Sequence, residues 1–315
     1  MINDPKVKIA ILGSTGHIAK SLIYYFSKEK NCELYLFARS TEKLSEFIKT
    51  ITNYNDFRVV PFEDFNNYFY DVIINCIGIK SGEVEKNFLL YSEITEKFDN
   101  LIIDYLLKNN SAIYINFSSG AVYGTDFKKP VNKKTNCNLD INNILPTDFY
   151  KIAKINSEAK HRCLNKLNII DIRIFSFFSR FIDLESNYFI CDLIRSIKNS
   201  IVFKTSPENI IRDYIHPRDL FSLVKKIIIK KKINDVFDAY SKMPVSKFEI
   251  IECFKNKYGL EYSVLRSFDN STLTGFKEVY YSKNTKASKI GFNPEYTSKE
   301  CIIQEVVEIT DNFHN

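Results

Sequence analysis

Val7 to Ser27 reads VKIAILGSTGHIAKSLIYYFS, and the way these residues are ordered decides the fold. Val7 to Leu12 is an apolar run without a helical period, which predicts a buried strand. Gly13-Ser-Thr-Gly16-His-Ile-Ala19 predicts a turn, and Lys20 to Ser27 alternates as an amphipathic helix. A strand, a glycine turn and a helix in that order form the opening of a dinucleotide-binding unit. Gly13 permits the tight turn, Gly16 lets backbone approach a pyrophosphate at the helix N-terminus, and small Ala19 allows close helix–strand packing. Gly13, Thr15, Gly16, His17 and Ile18 are therefore the first candidates for cofactor binding.

A second strand is expected from Glu33 to Phe37, followed by Ala38-Arg39-Ser40. An acid at this point grips the ribose hydroxyls of NAD, whereas an arginine accommodates the 2′-phosphate of NADP. No acid ends this strand, so NADP(H) is favoured, with Arg39 and Ser40 as phosphate contacts. NAD stays open, since the same arginine can stack on adenine or sit in solvent. Further strands are expected at Phe57 to Val60, Val72 to Cys76, Ala112 to Phe117 and Ile169 to Ile174, with helices at Ser92 to Leu107 and Phe149 to Leu164. This alternation predicts an α/β fold, a doubly wound parallel sheet of the Rossmann type. The division expected is a dinucleotide-binding domain over 1–174 and a smaller substrate-binding lobe over 175–315, with part of 205–240 returning to the main sheet. Asn132 to Asn143 reads as a surface loop ahead of Pro146.

Composition narrows the function. A chain of 315 residues can bury a sizeable core. Its net charge of +6 is spread along the sequence, and no Lys/Arg run is interleaved with aromatics, so no nucleic-acid surface is expected. A diffuse positive excess attracts anionic substrates such as a nucleotide diphosphate. The seven cysteines lack CxxC spacing, so neither a disulfide framework nor a metal site is expected. With no secretory signal and no membrane-spanning stretch, the expectation is a cytoplasmic protein with no membrane partner.

Tyr150-Lys-Ile-Ala-Lys154 places a phenol and an ammonium on one face of a helix. A free tyrosine titrates near about 10, and a nearby cation stabilises its phenolate, so the pair suits proton transfer to a carbonyl or alcohol oxygen.

Several segments in a fixed order then carry a resemblance. They are Gly13-x-x-Gly16-x-x-Ala19, Asn75-Cys-Ile-Gly78-Ile-Lys80, Ser118-Ser119-Gly-Ala-Val-Tyr123-Gly124, Pro146-x-x-x-Tyr150-x-x-x-Lys154, Arg212-Asp-Tyr-Ile-His-Pro-Arg-Asp219 and Lys286-Ala-Ser-Lys-Ile-Gly291-Phe-x-Pro294. With them, essentially the whole chain resembles an extended short-chain dehydrogenase/reductase of the nucleotide-sugar epimerase/dehydratase group. The resemblance implies that Ser119 hydrogen-bonds the substrate oxygen, that Tyr150 is the acid/base, and that Lys154 binds the nicotinamide ribose and lowers the tyrosine pKa. It matches Gly78 and Lys80 to a loop along the cofactor, Asp64 to adenine, and Arg212 to the substrate's diphosphate. It also implies a nucleotide-diphosphate sugar as substrate and a homodimer built on the Ser92 and Phe149 helices.

Departures from the pattern shape the expected reaction. Gly120 and Ala121 stand where dehydratases carry an acidic pair, so dehydration is not expected. Ser176 replaces an asparagine that precedes the substrate lobe, leaving its substrate contact open, and Lys133 or a neighbour replaces a glutamate of the sugar site. The favoured expectation is NADPH-dependent reduction of the 4-keto group of a nucleotide-linked (deoxy)sugar in surface-polysaccharide sugar biosynthesis. The alternative is an NAD-dependent 4-epimerase, because the Arg212 segment resembles UDP-galactose 4-epimerase. A dinucleotide-binding sensor or scaffold is a third possibility, disfavoured by the intact Ser119, Tyr150 and Lys154 set.

Overall fold

The computed structural model describes residues 6–51, 57–79, 88–124, 127–230, 232–265 and 277–310; Lys80 lies outside them. Val7–Leu12 forms β1 and His17–Phe26 forms α1. The helix starts earlier than the expected Lys20 because Gly16, extended at φ −74° and ψ 157°, serves as its N-cap. Cys32–Phe37 (β2), Thr41–Thr50 (α2), Phe57–Val60 (β3), Val72–Asn75 (β4), Leu90–Lys108 (α3), Ile113–Ser119 (β5), Phe149–Cys163 (α4) and Asn168–Ile174 (β6) follow. β5 runs past the expected Phe117 because its ladder with β6 continues to Ser119 opposite Ile174. That extension carries Ser119 to the edge of the site.

Beyond β6 come Ser176–Phe177 (β7), Phe189–Lys198 (α5), Phe203–Thr205 (β8), Ile211–Arg212 (β9), Tyr214–Ile215 (β10), Pro217–Lys230 (α6) and Asp235–Asp238 (β11). The chain then adds Val245–Ser246 (β12), Lys247–Tyr258 (α7), Tyr262–Val264 (β13), Val279–Tyr280 (β14) and Ser298–Thr310 (α8). The main sheet is parallel in the order β11-β6-β5-β4-β1-β2-β3. Strand order reverses between β1 and β4, which leaves a crevice above their carboxyl ends, the usual ligand position in an open α/β sheet.

Period-two alternation divides the core between the two faces. Ile9 and Ile11 of β1 pack with α1, α2 and α6, whereas Ala10 and Leu12 pack with Ile102, Tyr105 and Leu106 of α3. Both faces are covered, which is why the strands read as unbroken apolar runs. Each fully buried isoleucine or leucine contributes about 1.5–3 kcal/mol. A separate apolar cluster joins α5, α7 and α8 through Leu193, Ile251, Phe254, Ile302 and Val306. β11 pairs with β6 at the sheet edge and α6 packs on α1, so the chain returns to the main sheet between these elements. Residues 132–143 form an exposed connection, and no described helix is long and apolar enough to cross a membrane.

Candidate active site

The crevice begins at the first glycine turn. Gly13 adopts φ +75°, and a Cβ there would stand 3.0 Å from the backbone of Cys76 and Ile77. Left-handed backbone and the nearby chain after β4 together demand glycine. Gly16 N–H donates to Gly13 O at 2.8 Å, and a Cβ on Gly16 would lie 3.0 Å from that oxygen. The turn thus holds bare backbone at the start of α1, a cradle suited to a pyrophosphate. Thr15 lies in this turn, and Ile18 packs its side chain toward the core, leaving backbone as its offering to a ligand. His17 opens the helix with its ring 4.9 Å from that of Phe177, and its Nε2 is buried without a hydrogen-bond partner. Burial pushes His17 down to about 4, so the imidazole is neutral at physiological pH.

At the end of β2, Arg39 is exposed, and Ser40 is the N-cap of α2. Ser40 Oγ accepts from Lys43 N and donates to Glu42 Oε2 at 3.0 Å. A positive side chain and a helix N-terminus therefore meet here, together with one carboxylate in the first turn. Asp64 sits beyond β3 and accepts from Asn67 Nδ2 at 2.8 Å. Gly78 is exposed, and a Cβ there meets nothing within 4 Å, so no packing requires glycine at that position.

The catalytic candidates converge above β5. Ser119 ends the strand and caps the short 3-10 turn Gly120–Tyr123, its Oγ accepting from Ala121 N at 3.1 Å. Tyr150 enters from the first turn of α4, near enough for the Ser119 hydroxyl to act on its phenol. Burial pushes the Tyr150 phenol up and the Ser119 hydroxyl opposes it, so the net shift is upward. That direction differs from the lowering expected of Lys154. The Lys154 ammonium donates instead to Phe117 O at 2.8 Å, and burial pushes its own pKa down while Asp171, Glu158 and Asp99 push it back.

A buried polar frame fixes α4 against β5. Ser118 Oγ donates to Glu158 Oε1 at 2.6 Å, and Glu158 is held by Arg173 at 2.5 Å. Below it, His161 bridges Asp99 at 2.7 Å and Asp171 at 2.9 Å, and Asn116 donates to Asp171 at 2.7 Å. These carboxylates outweigh desolvation and raise His161 to about 9. The frame therefore locks the register between the strand that carries Ser119 and the helix that carries Tyr150.

Sequence reasoning missed Tyr280, whose hydroxyl lies 3.2 Å from Ser119 Oγ. It comes from β14, which pairs with β9 so that Tyr280 is opposite Arg212. The Arg212 guanidinium stands 5.8 Å from the Tyr280 ring and donates to its neighbour Ile211 O at 2.9 Å. Ser176 pairs with Tyr214 across β7 and β10, close in the chain to Arg212. Lys277 also overhangs Tyr280, its ammonium 4.4 Å from the ring centroid. Neither Lys277 nor Tyr280 belongs to a motif with fixed spacing; the pairing of β14 with β9 and the bond from Val279 N to Phe127 O bring this stretch to the site. Gly120 has a steric cause, since a Cβ there would stand 2.5 Å from the Phe175 ring. No metal-binding group occurs among the described residues.

Residues 9–241 match the model of the NAD dependent epimerase/dehydratase family. No curated protein matches the chain significantly. Among solved structures it is similar to dTDP-glucose 4,6-dehydratase from Bacillus anthracis in complex with NAD, with TM-score 0.79, 14% identity and 98% of each chain covered. It is also similar to UDP-glucose 4-epimerase from Stenotrophomonas maltophila with NAD and formylated UDP-arabinopyranose, at TM-score 0.80 and 15% identity over 98% of this chain and 99% of that one. UDP-glucuronic acid 4-epimerase from Bacillus cereus, in complex with UDP-glucuronic acid and NAD, aligns at TM-score 0.73 and 16% identity over 97% and 100% of the two chains.

Proposed function

Since the chain belongs to the NAD dependent epimerase/dehydratase family, we propose that it reduces the 4-keto group of a nucleotide-linked sugar with NADPH. The observation that carries this reading is the approach of the Tyr150 phenol to the Ser119 hydroxyl, with the phenol kept protonated by burial. A protonated phenol is the form needed to protonate an oxygen as its carbon becomes an alcohol. Bound NADPH supplies the hydride. Ser119 and Tyr150 direct two hydroxyls at the carbonyl oxygen, where charge develops. As the proton leaves Tyr150, the Ser119 hydroxyl and the ammonium of Lys154, one helical turn on, stabilise the phenolate. Gly13 and the N-terminus of α1 would hold the pyrophosphate of the dinucleotide, and the Arg212 guanidinium would pair with the substrate's diphosphate. A homodimer built on α3 and α4 belongs to the same reading.

Dehydration is set aside because neither acid is present: a side chain at position 120 would meet the Phe175 ring, and position 121 holds alanine. The choice of NADPH rests on Arg39 at the end of β2, beside the start of α2. With Arg39→Ala, the preference for NADPH over NADH should fall roughly 10- to 100-fold, the size of one charge-assisted contact, with NADH constants unchanged. An unchanged preference removes Arg39 from the phosphate site. One observation favours a second reading, a 4-epimerase that retains NAD. Glu42 already draws the Ser40 hydroxyl at the start of α2, where its charge opposes a 2′-phosphate. In that case Glu42→Gln raises NADPH affinity, and wild type prefers NADH.

A further inference from the structure

Two desolvated cations, Lys277 and Arg212, stand beside Tyr280. Lys277 is 8% exposed, and Arg212 is part-buried on the neighbouring strand. Burial pushes Lys277 down to about 8, and Arg212 and Lys151 push the same way. For Arg212, too, burial lowers the pKa, offset only by the Tyr214 and Tyr280 phenols. Among the described residues no carboxylate offsets either cation, whereas Lys151 is paired with Asp148 at 2.8 Å. A desolvated ammonium without a partner is costly, and proteins retain one where a ligand supplies the anion.

The two cations share the Tyr280 ring but have different further neighbours. Arg212 lies near the Tyr214 and Tyr280 phenols. Lys277 lies over the rings of Tyr280 and Phe127, and it senses Arg212 and then Lys151, the residue directly after Tyr150. The Tyr280 ring under Lys277 ends in the hydroxyl that touches Ser119, so the ammonium stands about one ring's length from the reacting centre. At that distance it reaches a sugar substituent while Arg212 is left for the diphosphate.

We infer that the sugar carried by the nucleotide bears its own negative charge, a carboxylate, and that Lys277 pairs with it. This rests on the nucleotide-sugar reading of the site but not on the direction of the redox step. It also fits the aromatic surroundings, since Tyr280 and Phe127 exclude water from the pair and strengthen it.

The test is calorimetric titration of the purified protein, with whatever dinucleotide it carries, against the nucleoside diphosphate, its glucose ester and its glucuronate ester, in the uridine and thymidine series. Wild type should bind the glucuronate roughly 10- to 100-fold tighter than the glucose ester, the size of one charge-assisted bond. Lys277→Met should erase that preference while the diphosphate and glucose ester keep their affinities within about 3-fold. Lys277→Arg should keep most of the preference, and its thermal melt checks folding independently of Lys277→Met. Equal binding of the two esters by wild type overturns the inference and leaves the nucleotide-sugar reading standing. So does a Lys277→Met variant that weakens all three ligands equally, which assigns the ammonium to the diphosphate. Binding of none of the ligands overturns both.

Discussion

Replacing Gly120 by alanine tests whether packing behind Ser119 fixes the chemistry. The new Cβ would stand 2.5 Å from Cδ1 and Cε1 of Phe175 and 2.9 Å from its Cζ. Those atoms cannot retreat freely, because the ring is 6% exposed and lies between Tyr123 at 6.3 Å and Tyr280 at 5.1 Å. Overpacking of this kind costs about 1–3 kcal/mol, and each kcal/mol lowers Tm by about 2–4 °C in a large domain. The displaced ring pushes on Tyr280 and through it on Ser119, so kcat should fall roughly 10- to 100-fold as the hydroxyl pair loses register. Phe175→Leu in the same chain opens the space again, and the pair should show a coupling of about 0.5–3 kcal/mol in the relieving direction. The assay is denaturant unfolding of the four members of the cycle beside steady-state kinetics. A Gly120→Ala protein with wild-type stability and turnover, or strictly additive effects, refutes the packing argument and readmits an acid at this position.

Tyr150→Phe should lower kcat roughly 10²- to 10⁴-fold with cofactor affinity nearly intact, because only the transferable proton is lost; turnover within a few-fold of wild type, in the same steady-state assay, removes Tyr150 as the acid. The His161 frame predicts a pH dependence of stability. Its pKa is raised in the folded protein from an ordinary 6.5 to about 9, so its contribution is complete below about 6.5 and is lost as pH rises toward 9. Denaturant midpoints of wild type and His161→Gln should therefore converge between pH 6 and pH 9.5, after a difference on the order of 3 kcal/mol at the acid end. A constant difference across that range excludes the charged imidazole as the source.

Local chemistry carried much of this architecture in the sequence. The turn at Gly13 and Gly16 was legible because left-handed backbone and a close approach each restrict the residue type, and Tyr150 and Lys154 were legible because their spacing matches one helical turn. The network around His161 was not, because Asp99, Asn116 and Asp171 come from separate elements and meet only when the sheet forms. Tyr280 and Lys277 stayed hidden for the same reason, brought toward Ser119 by the pairing of β14 with β9 and its bond to Phe127. The upward shift of Tyr150 was likewise invisible, since spacing reveals the neighbouring ammonium but not the desolvation of the phenol.

The most direct measurement of the central claim is the stoichiometry of cofactor use. A nucleotide-linked 4-keto sugar is supplied with NADPH, and loss of NADPH absorbance is compared with alcohol formed at C4. The account predicts one NADPH consumed per alcohol and no product when the dinucleotide is withheld. Interconversion of 4-hydroxy epimers without added cofactor, by protein that has retained NAD, would contradict it.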